Sequence, residues 1–289
     1  MNYIFHIFTM IFIYGILSLS LNLLVGYGGL ISLSHAAFYG IGAYASTLLM
    51  IKTGINFFPA LIFSILCSAI LSFLISYPSL RLKGDYFILA TLGFQIIVFS
   101  ILYNWVGLTR GPYGIPGIPR IKIFSFELIT PFHYFIISGI FFLLIFLFFK
   151  KIYSSPFGLA LKSIREDEIA SSTLGKNVFS IKIWAFVISC GIAAISGSLY
   201  ATYVSYIDPT SFTIDESIFI LSIVILGGAG NLKGPVAGAV FMIILPEILR
   251  FIGLPNTIAP NVRQIIYGLL LIILMKYRPK GIIGEYTFE

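Results

Sequence analysis

The chain has 289 residues, of which 58% are hydrophobic, 16% are aromatic and only 10% are charged. A soluble domain carries about 25% charged residues, so this composition excludes an ordinary water-soluble fold and predicts an integral membrane protein. The formal net charge of +7 does not indicate nucleic-acid binding, because the basic residues form short patches between apolar runs, as topology-setting charges do. The two cysteines, Cys67 and Cys190, lie inside apolar runs and predict neither a disulfide nor a metal site.

The predicted membrane segments begin with the first 51 residues, which contain no Lys, Arg, Asp or Glu. A spanning helix needs about 20 apolar residues, so this stretch predicts two crossings, interrupted by a turn or half-helix near residues 26–35. The run at 217–227 is too short to cross alone and ends in GGAGN, which indicates a discontinuous segment. We therefore predict an all-α polytopic transmembrane helical bundle of about nine segments, forming one domain over residues 1–289. After the first two, the segments are roughly 59–77, 86–104, 132–149, 182–204, 217–227, 235–252 and 260–276.

Two glycine clusters each end an apolar run and lead into a helix of small residues. Irregular backbone at membrane depth is tolerated only against protein or a water-filled cavity, and interrupted helices often mark the sites of transporters. We therefore expect both clusters, and His35 just after the first, to line a translocation pathway. Close helix packing is the alternative, because glycine lets backbones approach each other. The glycines are Gly26, Gly28 and Gly29 in the first cluster, and Gly227, Gly228 and Gly230 in the second.

A polar loop at about 150–181 stands out, because residues 150–182 include six basic and three acidic side chains. Ser163 and Glu166 match a capping box, in which a hydroxyl and a carboxylate satisfy exposed backbone amides. Gly175 fits the left-handed residue that follows a helix. The loop therefore predicts a helix of about eleven residues outside the bilayer. It is either a solvated connector or a rigid element that inserts into a partner protein.

The orientation follows from the Lys and Arg residues, because cytoplasmic loops carry the excess of basic residues. If the loop at 150–181 is cytoplasmic, twelve basic residues lie inside and six lie outside. The amino terminus is then periplasmic and the carboxy terminus cytoplasmic. The segment 206–217, which contains Asp208, Asp215 and Glu216 and no basic residue, falls on the periplasmic side.

The sequence contains no recognisable catalytic motif. It has neither a phosphate-binding GxxxxGK[ST] loop nor an HExxH pair, so ATP, if it is used, must be hydrolysed by a partner. We expect a transport protein that is not an enzyme and that holds no cofactor or metal of its own. Ionisable residues at membrane depth are usually functional. Glu247 is the one candidate for such a position, and Arg250, three residues further on, is a candidate partner for it.

Residues 155–178, SPFGLALKSIREDEIASSTLGKNV, resemble the coupling loop of the permease subunits of bacterial branched-chain amino acid ABC importers, specifically the LivM-type subunit. Glu168, Ala170 and Gly175 are similar to the degenerate glutamate–alanine–glycine signature of such permeases. The resemblance covers most of the chain, in family order. Its other blocks are residues 17–49, 81–94, 109–119, 197–213, 225–239 and 278–284.

The resemblance implies a subunit of the bacterial inner membrane, surrounded by lipid, that pairs with a second, LivH-like permease. Two cytoplasmic ATP-binding subunits would dock on the coupling loops, and a periplasmic substrate-binding protein would deliver leucine, isoleucine or valine. Related systems take urea, amides or other amino acids, and a stand-alone secondary carrier is a remoter alternative. The resemblance assigns ATPase coupling to Ser163, Arg165, Glu166, Asp167, Glu168, Ala170 and Gly175.

Overall fold

The computed structural model describes residues 2–82, 84–123 and 126–250, and scattered positions between 265 and 284. Most of the predicted crossing at 260–276 therefore lies outside the described residues. The α-helices of the described part are α1 (Asn2–Asn22), α2 (His35–Thr53), α3 (Phe57–Ser79), α4 (Asp85–Asn104), α5 (Val106–Thr109), α6 (Pro131–Tyr153), α7 (Pro156–Glu166), α8 (Glu168–Thr173), α9 (Val178–Val204), α10 (Ile214–Gly227) and α11 (Lys233–Arg250).

Five helical segments of the described residues are long and apolar enough to cross a membrane. They are α3, α4, α6, α9 and the continuous segment Asn2–Tyr27, which joins α1 to the π-helix that follows it. The helix α2 has 19 residues, and α10 has only 14. The structure thus supports an all-α membrane protein, but it does not support the predicted count of nine segments.

Both predicted interruptions are present. After α1 the chain forms a π-helix over Leu23–Tyr27 and then an irregular turn up to Ser34, where α2 begins. The helix α10 ends at Gly228, whose φ of 106° stops the helix in a conformation that favours glycine. Single π-turns of this kind occur mostly at functional sites.

Several helix boundaries have a local chemical cause. Asn56 accepts a hydrogen bond from the Phe57 amide (2.8 Å) at the start of α3, and Asn177 accepts one from the Ser180 amide (3.1 Å) at the start of α9. Both are side-chain caps of free amides. Gly54, at φ 67°, ends α2 in the left-handed conformation.

Two antiparallel pairs of very short strands lie in the connections between helices. The strand β1 (Ile115–Pro116) pairs with β4 (Tyr206–Ile207), and β2 (Lys122–Ile123) pairs with β3 (Phe126–Glu127). The first pair joins the α5–α6 connection to the α9–α10 connection. These strands add local order to a helical fold.

Helix α9 is the centre of the bundle and packs against α1, α2 and α3. Small residues allow this close approach, because a Cβ on Gly42 would overlap the backbone of Ala194, and a Cβ on Gly197 would overlap the backbone of α2. A buried hydrogen bond between Ser64 and Ser198 (2.9 Å) ties α3 to α9.

The connections gather at two ends of the bundle. At one end, the turn after α1, the α3–α4 connection and the loop at 150–181 line a common cleft. At the other end, the β1–β4 pair forms and Asn56 donates to the carbonyl of Lys122 (2.9 Å). The count of basic residues had assigned the same connections to the same two sides of the membrane.

Candidate coupling and translocation site

The polar loop contains two short helices, α7 and α8, and the predicted single helix starting at Ser163 is wrong. Ser155 accepts from the Gly158 amide (3.3 Å), and Pro156 occupies the first turn of α7, so the helix begins eight residues earlier. Ser163 lies inside α7 and donates to the Ala160 carbonyl (2.8 Å). Asp167 is extended and ends α7.

Asp167, rather than Ser163, caps the helix that follows. Its carboxylate accepts a hydrogen bond from the Ala170 amide (2.9 Å) at the start of α8, as expected for an N-cap residue. Gly175 has a φ of 80° and follows the end of α8, so its predicted left-handed conformation is confirmed. Helix α8 is therefore shorter than the predicted helix, but it has a defined beginning and end.

The outer face of α8, formed by Ile169, Ala170, Thr173 and Leu174, is exposed. Ile169 and Leu174 are each 77% exposed, although they are large apolar residues. Exposed apolar groups at a short, capped helix are typical of protein contact surfaces. Glu166, Glu168 and Gly175 are exposed beside this face.

Polar contacts fix α8 to the rest of the subunit. Lys182, at the start of α9, pairs with Glu168 (2.6 Å). Ser163 accepts hydrogen bonds from Lys176 (2.7 Å) and from the Ser171 hydroxyl (3.2 Å). These contacts connect α8 to both α7 and α9.

Arg165 is turned inward, with only 6% of its side chain exposed. Its guanidinium donates to the Gly26 carbonyl and to the Glu166 carboxylate. The Arg165 side chain also packs on Gly29, where an added Cβ would lie 2.9 Å from the arginine Cγ. Arg165 therefore connects the coupling loop directly to the first glycine cluster.

A cleft of about 810 Å³ opens between these elements. Its walls include Gly29, Arg81 and Asp85 together with Arg165 and Lys182. The cleft therefore carries both signs of charge, and it separates the coupling loop from the α3–α4 connection.

Asn22 brings the two glycine clusters together. Its side-chain oxygen accepts from the Gly230 amide (3.1 Å), and its amide nitrogen donates to the Asn231 carbonyl (3.0 Å) and to the Tyr153 hydroxyl (3.2 Å). A Cβ on Gly26 would overlap both Asn22 and the Gly230 amide. These are the contacts of close backbone packing, and the proposed pathway role of the glycines stays a prediction.

A segment near the carboxy terminus also contacts the second cluster. The amides of Ile282 and Ile283 donate to the carbonyls of Leu226 and Gly227, each at 3.0 Å. These are carbonyls at the end of α10, which has no further turn to satisfy them. A Cβ on Gly281 would lie 2.7 Å from the Gly228 Cα, so glycine is needed on both sides of this contact.

His35 is fully buried at the start of α2. Its Nε2 lies 2.9 Å from the Ser20 hydroxyl, and its Nδ1 has no hydrogen-bond partner among the described residues. Gln95 of α4 accepts a hydrogen bond from the amide of Ala37 (2.6 Å), two residues after His35. In the part of the chain that the structure describes, no three His, Cys, Asp or Glu side chains come together as a metal site would require.

Two glutamates accept hydrogen bonds from tyrosines of α1. Tyr14 donates to Glu216 of α10 (2.6 Å), and Tyr3 donates to Glu247 of α11. The predicted pairing of Glu247 with Arg250 stays a prediction, because the side chain of Arg250 is not among the described parts of the chain. Glu216 contacts the middle of α1, which the charge pattern did not predict.

Sequence reasoning missed several residues that hold the site together. Asn22 stood out only as a polar residue in an apolar span just before glycines. Lys182 was counted as a charge, and its pairing with a residue fourteen positions earlier has no local signature. Gln95 and Tyr153 gave no signal, because their partners come from distant helices.

Long apolar helices with an interrupted helix among them are typical of membrane transport proteins. The chain matches the family described as branched-chain amino acid transport system, permease component, over residues 3–275, and it belongs to that family.

Curated relatives carry consistent names. The chain is 34% identical to the high-affinity branched-chain amino acid transport system permease protein LivM of Salmonella typhimurium, and 33% identical to that of Escherichia coli. Each match covers 95% of this chain and 68% of the relative. A probable LivM protein of Methanocaldococcus jannaschii is 29% identical, over 94% of this chain and 91% of the relative. No solved structure matches the chain.

Proposed function

We propose that the chain is the LivM-type permease subunit of an ATP-driven importer of branched-chain amino acids. It would form the translocation pathway for leucine, isoleucine or valine with a second, LivH-like permease. The names and the coverage of the relatives support this substrate class. The chain would not be an enzyme and would hold no cofactor, since two cytoplasmic ATP-binding subunits would bind and hydrolyse ATP.

The exposed apolar face of α8 is the observation that carries the coupling role. Ile169 and Leu174 present large apolar surface next to the charged residues Glu166, Asp167 and Glu168. A partner ATPase would cover this face, since burial of an apolar side chain contributes about 1.5–3 kcal/mol. Glu168, Ala170 and Gly175, which match the family signature, lie in or directly after the same helix.

Movement of α8 would reach the membrane by two connections. One is the pairing of Glu168 with Lys182, which leads into α9. The other is Arg165, which leads to the carbonyl of Gly26 in the π-helix after α1. ATP-driven movement would then shift α1 and α9 together, and with them the glycine clusters and His35 that we assign to the pathway.

The proposed location is the bacterial inner membrane, with the amino terminus periplasmic and the carboxy terminus cytoplasmic. Our proposed count remains about nine segments in one domain over residues 1–289, with α10 discontinuous. A periplasmic substrate-binding protein would deliver the amino acid at the end that carries the β1–β4 pair.

The test is reconstitution of the chain in proteoliposomes with a LivH-like permease, two ATPases and the binding protein. We expect uptake of radiolabelled leucine that requires ATP on the side of the ATPases and the binding protein on the opposite side. Omission of any one subunit should abolish uptake. Leucine uptake by this chain alone, or uptake driven by an ion gradient without ATP, would contradict the proposal.

A further inference from the structure

Glu216 places a carboxylate at the centre of the membrane-spanning region. It accepts a hydrogen bond from the Tyr14 hydroxyl (2.6 Å), and Tyr14 lies midway along the continuous span Asn2–Tyr27. At a rise of 1.5 Å per residue, Tyr14 is about 18 Å or more from either end of that span. The carboxylate of Glu216 is therefore near the midplane rather than in the periplasmic loop.

A carboxylate at this depth costs about 2.5–3.5 kcal/mol or more, and such groups almost always face a bundle interior or a water-filled cavity. Among the described residues, no lysine or arginine forms an ion pair with Glu216. Glu216 and Tyr14 are both half-buried, so they reach the surface of this subunit. Exposing the carboxylate to lipid would cost free energy, so this surface fits the wall of a pathway shared with a second permease.

A second polar group lies close to this carboxylate. Tyr39 of α2 is only 1% exposed, and its hydroxyl has no hydrogen-bond partner in the described part of the chain. Tyr39 lies three residues after Ala36, whose amide donates to the hydroxyl of Ser217, the residue next to Glu216. A buried hydroxyl without a partner is costly, so it is suited to a polar ligand that also contacts Glu216.

The start of α2 supplies the opposite polarity nearby. The Ala36 amide donates to the hydroxyl of Ser217 (3.0 Å), the residue next to Glu216. The amino-terminal end of a helix carries partial positive charge. The positive end of α2 therefore contacts the residue next to Glu216, so groups of opposite polarity lie near each other on α2 and α10.

From this geometry we propose that Glu216 binds the α-ammonium group of the amino acid during its passage through the membrane. Tyr14 positions the carboxylate, and the Tyr39 hydroxyl is a second contact for the ligand. The inference rests on the proposed function and adds to it a residue that recognises the common part of all amino acids, leaving the choice of side chain to other groups.

The deciding variant is Glu216→Gln, because glutamine keeps an oxygen that accepts from Tyr14 and removes only the charge. In the reconstituted importer we expect leucine uptake to fall about tenfold or more, the loss that follows removal of a hydrogen-bonded charge. ATP hydrolysis stimulated by the binding protein should stay within about twofold of the wild type, since the helices remain tied together. Glu216→Asp should recover part of the uptake.

Two controls separate binding from packing. Glu247→Gln removes the other glutamate that is bonded to a tyrosine of α1, near the outer end of that helix, and should keep uptake within about twofold. Tyr14→Phe removes the hydrogen bond and leaves the charge, so its uptake should exceed that of Glu216→Gln.

Wild-type uptake by Glu216→Gln would overturn the inference, as would an equal loss in Tyr14→Phe, and either result leaves the proposed function standing. Absence of leucine uptake by the wild-type importer would instead overturn both the proposed function and the inference.

Discussion

Gly26 occupies a crowded position in the junction of the two glycine clusters. A methyl group there would overlap the Asn22 side chain and the Gly230 amide. Overpacking of this kind costs about 1–3 kcal/mol, so Gly26→Ala should lower the melting temperature of the purified subunit by several degrees. The measurement is thermal unfolding in mild detergent.

Gly93 provides the matched control for that substitution. It also lies in a membrane helix, but a Cβ there would meet no atom within 4 Å. Gly93→Ala should leave the melting temperature unchanged or raise it slightly, since alanine favours helix by about 1 kcal/mol. Equal melting temperatures for Gly26→Ala and the wild type would disprove the close packing of the two clusters.

At the residue scale, the sequence predicted where the helices are interrupted but not which residues the interruptions contact. A cluster such as Gly26 to Gly29 marks an interruption, because glycine alone removes the steric limits on backbone approach. The partner of each glycine depends on which helices pack together, and that is a tertiary property. Asn22, which makes two hydrogen bonds to the second cluster and one to Tyr153, could be recognised only after the helices were placed.

The outer face of α8 allows a test at the scale of one element. Ile169→Asp and Leu174→Asp each replace an exposed apolar side chain by a charge, so they should leave the fold of the subunit intact. Loss of one buried apolar side chain from an interface costs about 1.5–3 kcal/mol. Copurification of the ATPase subunits should therefore fall by about tenfold or more for either variant.

Tyr113→Asp is the control for both α8 variants, because Tyr113 is 81% exposed in the connection beside β1, at the opposite end of the bundle. ATPase copurification with Tyr113→Asp should equal that of the wild type. If Ile169→Asp and Leu174→Asp also retained the ATPases, the coupling role of α8 would be refuted.

At the element scale, the capping-box prediction failed because two start signals compete within the same loop. Ser163 and Glu166 have the correct spacing, but Ser155 followed by Pro156 begins a helix earlier and takes Ser163 into its interior. Asp167 then starts a new helix, since its short carboxylate bonds a nearby amide. Local spacing predicted that the loop is helical and exposed. The boundaries of α7 and α8 depended on which of the possible capping residues starts each helix.

At the scale of the whole molecule, composition and charge predicted the membrane class and the grouping of loops at two ends. Glu216 was the exception, since the charge pattern placed it in a periplasmic segment, whereas it lies in the first turn of α10 and its carboxylate reaches the middle of α1. A short helix such as α10 begins inside the bundle, so sequence distance from an apolar run does not measure membrane depth. Depth depends on the contacts between helices.

The two ends of the bundle allow the orientation to be tested in intact cells. Twelve basic residues fall on the side of the loop at 150–181 and six on the other side, so the loop should be cytoplasmic. We expect a membrane-impermeant maleimide to label Tyr113→Cys in intact cells and Ser172→Cys only after permeabilisation, because both positions are exposed. The wild-type chain, which has Cys67 and Cys190 inside membrane helices, gives the background. Labelling of Ser172→Cys in intact cells would reverse the orientation, and it would separate α8 from any cytoplasmic ATPase.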